Sequence, residues 1–203
     1  MVLRGDNMLL TSNILKQNLL NYANKNNKIS REIKNGNLIK IKKGLYETDK
    51  NTAGYLLASS IYGPSYLSFD FGLYYYGLIP EKVFTYTSAT FDKKKNKQYD
   101  TPFGTYLYRD IPKDVYPLGI NLVEEGEYSY QIATVEKALC DKLYTLMTVK
   151  NLKEFKNLIF SDLRIDIEEL KKMNIKDIEE ICEKYNSINV RFLYKYLRRE
   201  FEK

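Results

Sequence analysis

The sequence predicts an α+β protein: an N-terminal winged helix-turn-helix followed by an α+β domain with a small, mainly antiparallel sheet and a helical C-terminus. Three observations carry this. Within the first fifty residues, two short stretches with apolar residues at helical spacing precede an alternating Ile/Lys hairpin. The middle of the chain holds β-branched and aromatic runs separated by turn residues. The last fifty residues repeat an amphipathic helical pattern four times. At 203 residues the chain can bury a core as one large or two small domains. The expected division is 1–50 for the winged helix-turn-helix and 51–203 for the α+β domain.

Residues 9–23 place Leu9, Ile14, Leu15, Leu19, Leu20 and Tyr22 close to a 3.6-residue period, which predicts one helix or two short ones. Asn24, Asn26 and Asn27 interrupt the pattern. A second helix is expected over 27–35, with Gly36 as its left-handed C-terminal cap. At about 100° per residue, Ile29 and Ile33 share one face. The opposite face carries Asn27, Arg31, Lys34 and Asn35, with Ser30 and Lys28 at its edges and Glu32 to one side. Such side chains read base edges and hold phosphates in a major groove. Next, Ile39 and Ile41 alternate with Lys40 and Lys42, a half-buried strand. Lys43-Gly44 forms a turn and Leu45-Tyr46 a return strand. Helix, helix and short basic hairpin make a winged helix-turn-helix. Its expected partner is double-stranded DNA, with Arg31 and Lys34 at the groove and Lys40, Lys42 and Lys43 on phosphates. The bland alternative is a small helix-hairpin with ordinary exposed lysines.

Charge points the same way. The chain has 32 Lys+Arg against 26 Asp+Glu, a net +6. Residues 1–50 hold ten basic and four acidic residues, so the whole excess lies there and the remainder is electroneutral. A concentrated positive patch suits a polyanion.

Farther along, 52–62 reads as a helix stopped by Gly63-Pro64, and 68–76 is apolar nearly all round, as in a buried segment. Residues 83–89 form a strand, 92–97 a charged loop, and 99–108 strand around Thr101-Pro102-Phe103-Gly104; 128–132 is another short strand. The lysine-rich loop is expected to be a solvated hairpin tip, with a second phosphate contact as the alternative. In the helix expected over 134–147, Ala138, Leu139, Leu143, Leu146 and Met147 form a stripe that leaves Glu136, Lys137, Asp141 and Lys142 outside it. Lys137 and Asp141, four apart, would pair for ~0.2–0.5 kcal/mol. Cys140 beside the stripe reads as an inert buried thiol. Helices follow over 152–160, 167–173, 175–185 and 190–201. The last aligns Arg191, Lys195 and Arg198, with Arg199 beside them; a solvated basic face is the simpler reading.

The composition also excludes. With no histidine there is no Ser-His-Asp or Cys-His catalysis, no histidine base and no histidine-ligated metal. Cys140 and Cys182 match no zinc spacing and make no disulfide scaffold, which favours a reducing cytoplasm. No signal peptide is expected, and the sequence contains no 18-residue apolar segment or Gly-rich phosphate loop. The expectation is a soluble cytoplasmic protein that is not an enzyme, needs no cofactor or metal, and does not engage a membrane.

Several segments, in order, carry a resemblance. Pro64-Ser65-Tyr66-Leu67-Ser68 leads into Leu73-Tyr74-Tyr75-Tyr76-Gly77-Leu78-Ile79-Pro80. A threonine-rich strand, Thr101-Pro102-Phe103-Gly104 and Tyr108-Arg109-Asp110-Ile111-Pro112 follow. Last comes Ile132-Ala133-Thr134-Val135-Glu136-Lys137-Ala138-Leu139-Cys140-Asp141-Lys142-Leu143-Tyr144. Over residues 25–145 the set resembles the AbiEi family of abortive-infection antitoxins and transcriptional regulators. The family usually has proline where this chain has Val135, a change that touches capping, since Thr134 can still cap. The N-terminal helices look shorter than the family's, and 150–203 carries no family motif. The resemblance implies the antitoxin of a two-gene type IV toxin–antitoxin system used in phage defence. Its N-terminal domain would repress its own operon by binding promoter repeats, as a homodimer or cooperatively. Its C-terminal domain would oppose a nucleotidyltransferase-like toxin without a stable complex. The alternative is a protein-interaction antitoxin that binds its toxin directly.

Overall fold

A computed structural model describes residues 9–201. Arg4 and Asp6, part of the charge balance of the first fifty residues, lie outside that range. The chain opens with β1 (Leu9–Thr11), α1 (Ser12–Asn18), α2 (Lys25–Lys34), β2 (Ile39–Lys42) and β3 (Leu45–Glu47). The three strands form an antiparallel sheet in the order β1-β3-β2. Thr11 caps α1 through its hydroxyl, which accepts from the Ile14 N–H, and the Asn24 carboxamide caps α2 by accepting from the Asn27 N–H at 3.0 Å. Gly36 takes the left-handed φ of 76° that ends α2.

The helix expected from Leu9 starts three residues late. Thr11 is extended as its cap, so Leu9–Thr11 pairs with β3 instead, and Leu10 packs into a small core with Leu15, Leu19, Ile29, Leu38 and Tyr46. Because α1 ends at Asn18, the apparent period fails beyond it, and Leu20 is 72% exposed.

A 3₁₀ turn at Gly54–Leu57 leads into α3 (Ala58–Ile61), then β4 (Tyr66–Leu67), α4 (Phe69–Tyr75), β5 (Thr85–Thr90), β6 (Lys97–Thr101), β7 (Gly104–Asp110), β8 (Ile120–Glu125), β9 (Tyr128–Ala133) and α5 (Val135–Tyr144). The strands form one six-stranded sheet in the order β6-β7-β5-β4-β9-β8. Three pairings are antiparallel, but β5-β7 and β4-β9 are parallel, so the sheet is larger and more mixed than expected. The helix expected over 52–62 is thus a 3₁₀ turn and one α turn.

One face of the sheet, with Tyr66, Ala89 and Ala133, packs on Leu73 of α4, Leu139 and Leu143 of α5, and the C-terminal helices. Those are α6 (Leu152–Asn157), which runs into a π turn at Leu158–Asp162, α7 (Ile167–Lys171), α8 (Ile175–Tyr185) and α9 (Ile188–Phe201). The other face, with Leu67, Tyr106, Tyr108 and Ile132, packs on Leu57 and Ile61. Ile41 and Leu45 of the basic hairpin belong to this same buried cluster, so the core does not break at residue 50.

Gly54 marks a close approach on that side. A Cβ there would lie 2.3 Å from a Tyr86 ring carbon and 2.5 Å from the Phe103 carbonyl oxygen. Gly54→Ala is therefore expected to cost about 1–3 kcal/mol through forced overpacking. Urea denaturation measures it, and an unchanged midpoint would show that the turn shifts freely.

Candidate nucleic-acid interface

α2 presents the face expected of it. Ile29 is buried and Ile33 half-buried against the small N-terminal core, while Asn27, Ser30, Arg31, Lys34 and Asn35 are all exposed. Glu32, the one acid of the helix, is turned inward. It accepts from the Lys28 ammonium at 2.5 Å and from the Asn37 amide at 2.7 Å. The bond from Lys28 holds the Glu32 carboxyl below its usual range and raises Lys28 in return. Lys28, expected at the edge of the DNA-facing surface, is half-buried there and paired with Glu32. The cause is helical geometry: four residues apart, the pair meets on the side of the helix.

The hairpin splits its three lysines. Lys40 and Lys43 are exposed, but Lys42 is not a free phosphate contact. Its ammonium donates to the Ile61 carbonyl and lies 5.7 Å from the centre of the Tyr99 ring; burial lowers its pKa. A register shift between Lys40 and Lys42 breaks the strict alternation that would have kept both on one face. Glu47, at the end of β3, is fully buried. Its carboxylate accepts from the Thr48 N–H at 2.7 Å, the Asp49 N–H at 3.1 Å and the Tyr128 hydroxyl at 2.9 Å. The helix-hairpin unit is thus fastened to α3 through Lys42 and to β9 of the larger sheet through Glu47.

The strongest polar cluster lies elsewhere and corrects the expectation for α5. Glu136, Lys137 and Asp141 are not outside the apolar stripe of α5 but buried, whereas Met147 of that stripe is 91% exposed. Lys137 and Asp141 form an ion pair with both side chains 0% exposed. The Asp141 carboxylate also accepts from Ser68 Oγ at 2.6 Å, Tyr66 Oη at 3.0 Å and Tyr185 Oη at 2.5 Å. Burial pushes both tyrosine hydroxyls well above their ordinary pKa. The Lys137 ammonium sits 5.3 Å and 5.1 Å from the two tyrosine ring centres. Sealed from solvent, the cluster cannot receive a substrate; it ties β4, the start of α4, α5 and α8 together.

Cys140 is fully buried, and burial raises its thiol pKa well above the ordinary value; Cys182 is shifted the same way. Neither is a reactive thiolate. Both are expected to react with a thiol reagent such as DTNB only as the protein unfolds, and rapid labelling of the native chain would contradict that.

On α9, Lys195 and Arg199 are exposed, Arg191 donates to the Asn186 side chain at 2.6 Å, and Arg198 lies over the Tyr194 ring. Among the described residues, no His/Cys/Asp/Glu group is arranged to hold a metal ion, and no helix is long and apolar enough to cross a membrane. No family model and no curated protein matches the chain.

Proposed function

We propose that this chain is a DNA-binding regulator whose first fifty residues act as a winged helix-turn-helix, with α2 entering the major groove. One observation carries the reading: Asn27, Ser30, Arg31, Lys34 and Asn35 form an exposed helical face from which the only acid of the helix has been withdrawn. Exposed Lys40 and Lys43 on the neighbouring hairpin add phosphate-binding charge. The ordered segments resembling the AbiEi family extend the reading. The chain is then an antitoxin that represses its own toxin–antitoxin operon and counteracts a nucleotidyltransferase-like toxin. A gel shift of the purified chain on the DNA upstream of its own gene tests the core of this. Binding that exceeds that to unrelated DNA and weakens with salt is expected, and absent or salt-independent binding would sink it. Co-expression with the adjacent gene tests the extension: that gene should arrest growth alone and not in the presence of this chain.

A further inference from the structure

The hairpin does not stand alone on the surface. Lys42 reaches the Ile61 carbonyl, and Lys93, from the loop between β5 and β6, reaches the Gly63 carbonyl at 3.3 Å. With Cα atoms ~3.8 Å apart along the chain, these two acceptors are within about 8 Å of each other. Aromatic rings close the connection. Lys42 lies over Tyr99, Tyr99 is 6.0 Å from Tyr62, and Lys93 lies 5.4 Å over Tyr62. The lysine-rich loop of residues 92–97 therefore borders the basic hairpin.

That loop is also held in shape. The Lys94 N–H donates to the Asp110 carboxylate, whose other oxygen accepts from Thr90 Oγ1 at 2.6 Å. Asp92 faces Lys113 at 3.8 Å. Asp92 thus has a counter-charge in Lys113, whereas Asp110 binds neutral donors as Lys42 and Lys93 bind neutral carbonyls; with four lysines against one aspartate, the loop of residues 92–97 stays net positive. Lys94 and Lys95 are exposed at the tip.

We propose that the loop of residues 92–97 is a second phosphate-binding element, in which Lys94 and Lys95 grip the DNA backbone next to the stretch held by Lys40 and Lys43. The inference rests on the DNA-binding reading above and extends the footprint from the helix-hairpin unit onto the sheet. Duplex DNA fits because its charges, one per ~1.7 Å of axis, are spaced far more closely than the ~8 Å Debye length at 0.15 M salt, so neighbouring lysines reach phosphates without being screened from them. A backbone contact carries no sequence information, so the loop adds affinity rather than choice of site.

The test is a fluorescence anisotropy titration of the full chain on its upstream DNA and on an unrelated duplex, over a range of salt. Lys94→Gln with Lys95→Gln is compared with wild type and with Lys171→Gln plus Lys172→Gln, which removes the same net charge from the C-terminal end of α7 and its cap. Two lost phosphate contacts should reduce the salt slope by about 1.8, and affinity about thirty-fold at 0.15 M salt, on both duplexes alike. The α7 variant should keep the wild-type slope, and circular dichroism should show all three folded. An unchanged slope in the loop variant, with wild type still binding, would overturn the loop alone. An equal loss in the α7 variant would reduce the effect to net charge and overturn it too. A loop variant with unchanged DNA affinity but weakened toxin capture would mark a protein interface instead. Failure of wild type to bind either duplex would remove the DNA reading and the loop with it.

Discussion

Asp141→Ala is expected to cost about 3–5 kcal/mol, a large share of the ~5–15 kcal/mol by which a domain is normally stable. The carboxylate accepts from four side chains, those of Lys137, Tyr66, Ser68 and Tyr185. Removing it leaves a fully buried ammonium without its counter-charge and three buried hydroxyls without their acceptor. An unpaired buried charge is far more costly than a lost surface pair, so the ~0.2–0.5 kcal/mol suited to an exposed i,i+4 pair does not apply. Lys137→Met should cost a similar amount, since it strands the carboxylate instead. The double replacement Lys137→Met with Asp141→Leu should lose less than the sum of the two single ones, because no charge is then left buried. Urea denaturation of the three variants measures this. Single losses below ~1 kcal/mol would mean that water reaches the pair.

The cluster also shows why parts of this protein were legible in its sequence and others were not. The C-terminal end of α2 with its Gly36 cap and the turn at Lys43-Gly44 are decided by residues within a few positions of one another and follow from local pattern, whereas α2 begins at Lys25, before the expected residue 27, because Asn24 is its cap and Asn26 and Asn27 lie inside it. The burial of Lys137 and Asp141 is decided by hydroxyls from Tyr66, Ser68 and Tyr185, between 44 and 75 residues away. A helical wheel cannot see those partners, so it places both charges in solvent. The one local hint was an opposite-charge pair at i,i+4 inside an apolar segment. β4 escaped notice for a related reason: its two residues become a strand only because β5 and β9 flank them. The exposed face of α2 was readable because one apolar side fixes the other. The fate of Lys42 was not, because it depends on a register shift and on the Ile61 carbonyl.

That difference between Lys42 and its neighbours leads to the sharpest prediction for the interface. With Lys28 bound to Glu32 and Lys42 turned onto Ile61, α2 and the hairpin offer four exposed cations: Arg31, Lys34, Lys40 and Lys43. Four phosphate contacts alone would give a slope of about −3.6 for log affinity against log salt, and six, with Lys94 and Lys95, about −5.4. The measured slope therefore separates a footprint confined to α2 and the hairpin from one that includes the loop. Within it, Arg31→Ala is expected to cost about 1–3 kcal/mol on the preferred site and clearly less on random DNA, as a side chain that reads a base edge should. Equal losses on both would make Arg31 a backbone contact. Lys42→Met should leave the slope unchanged, because its ammonium already serves the Ile61 carbonyl. A slope reduced by about 0.9 would show instead that Lys42 abandons that carbonyl for a phosphate when DNA arrives. The hairpin would then not be rigidly docked: binding would loosen its hold on α3, and the helix-hairpin unit would be coupled to the rest of the protein through this one side chain.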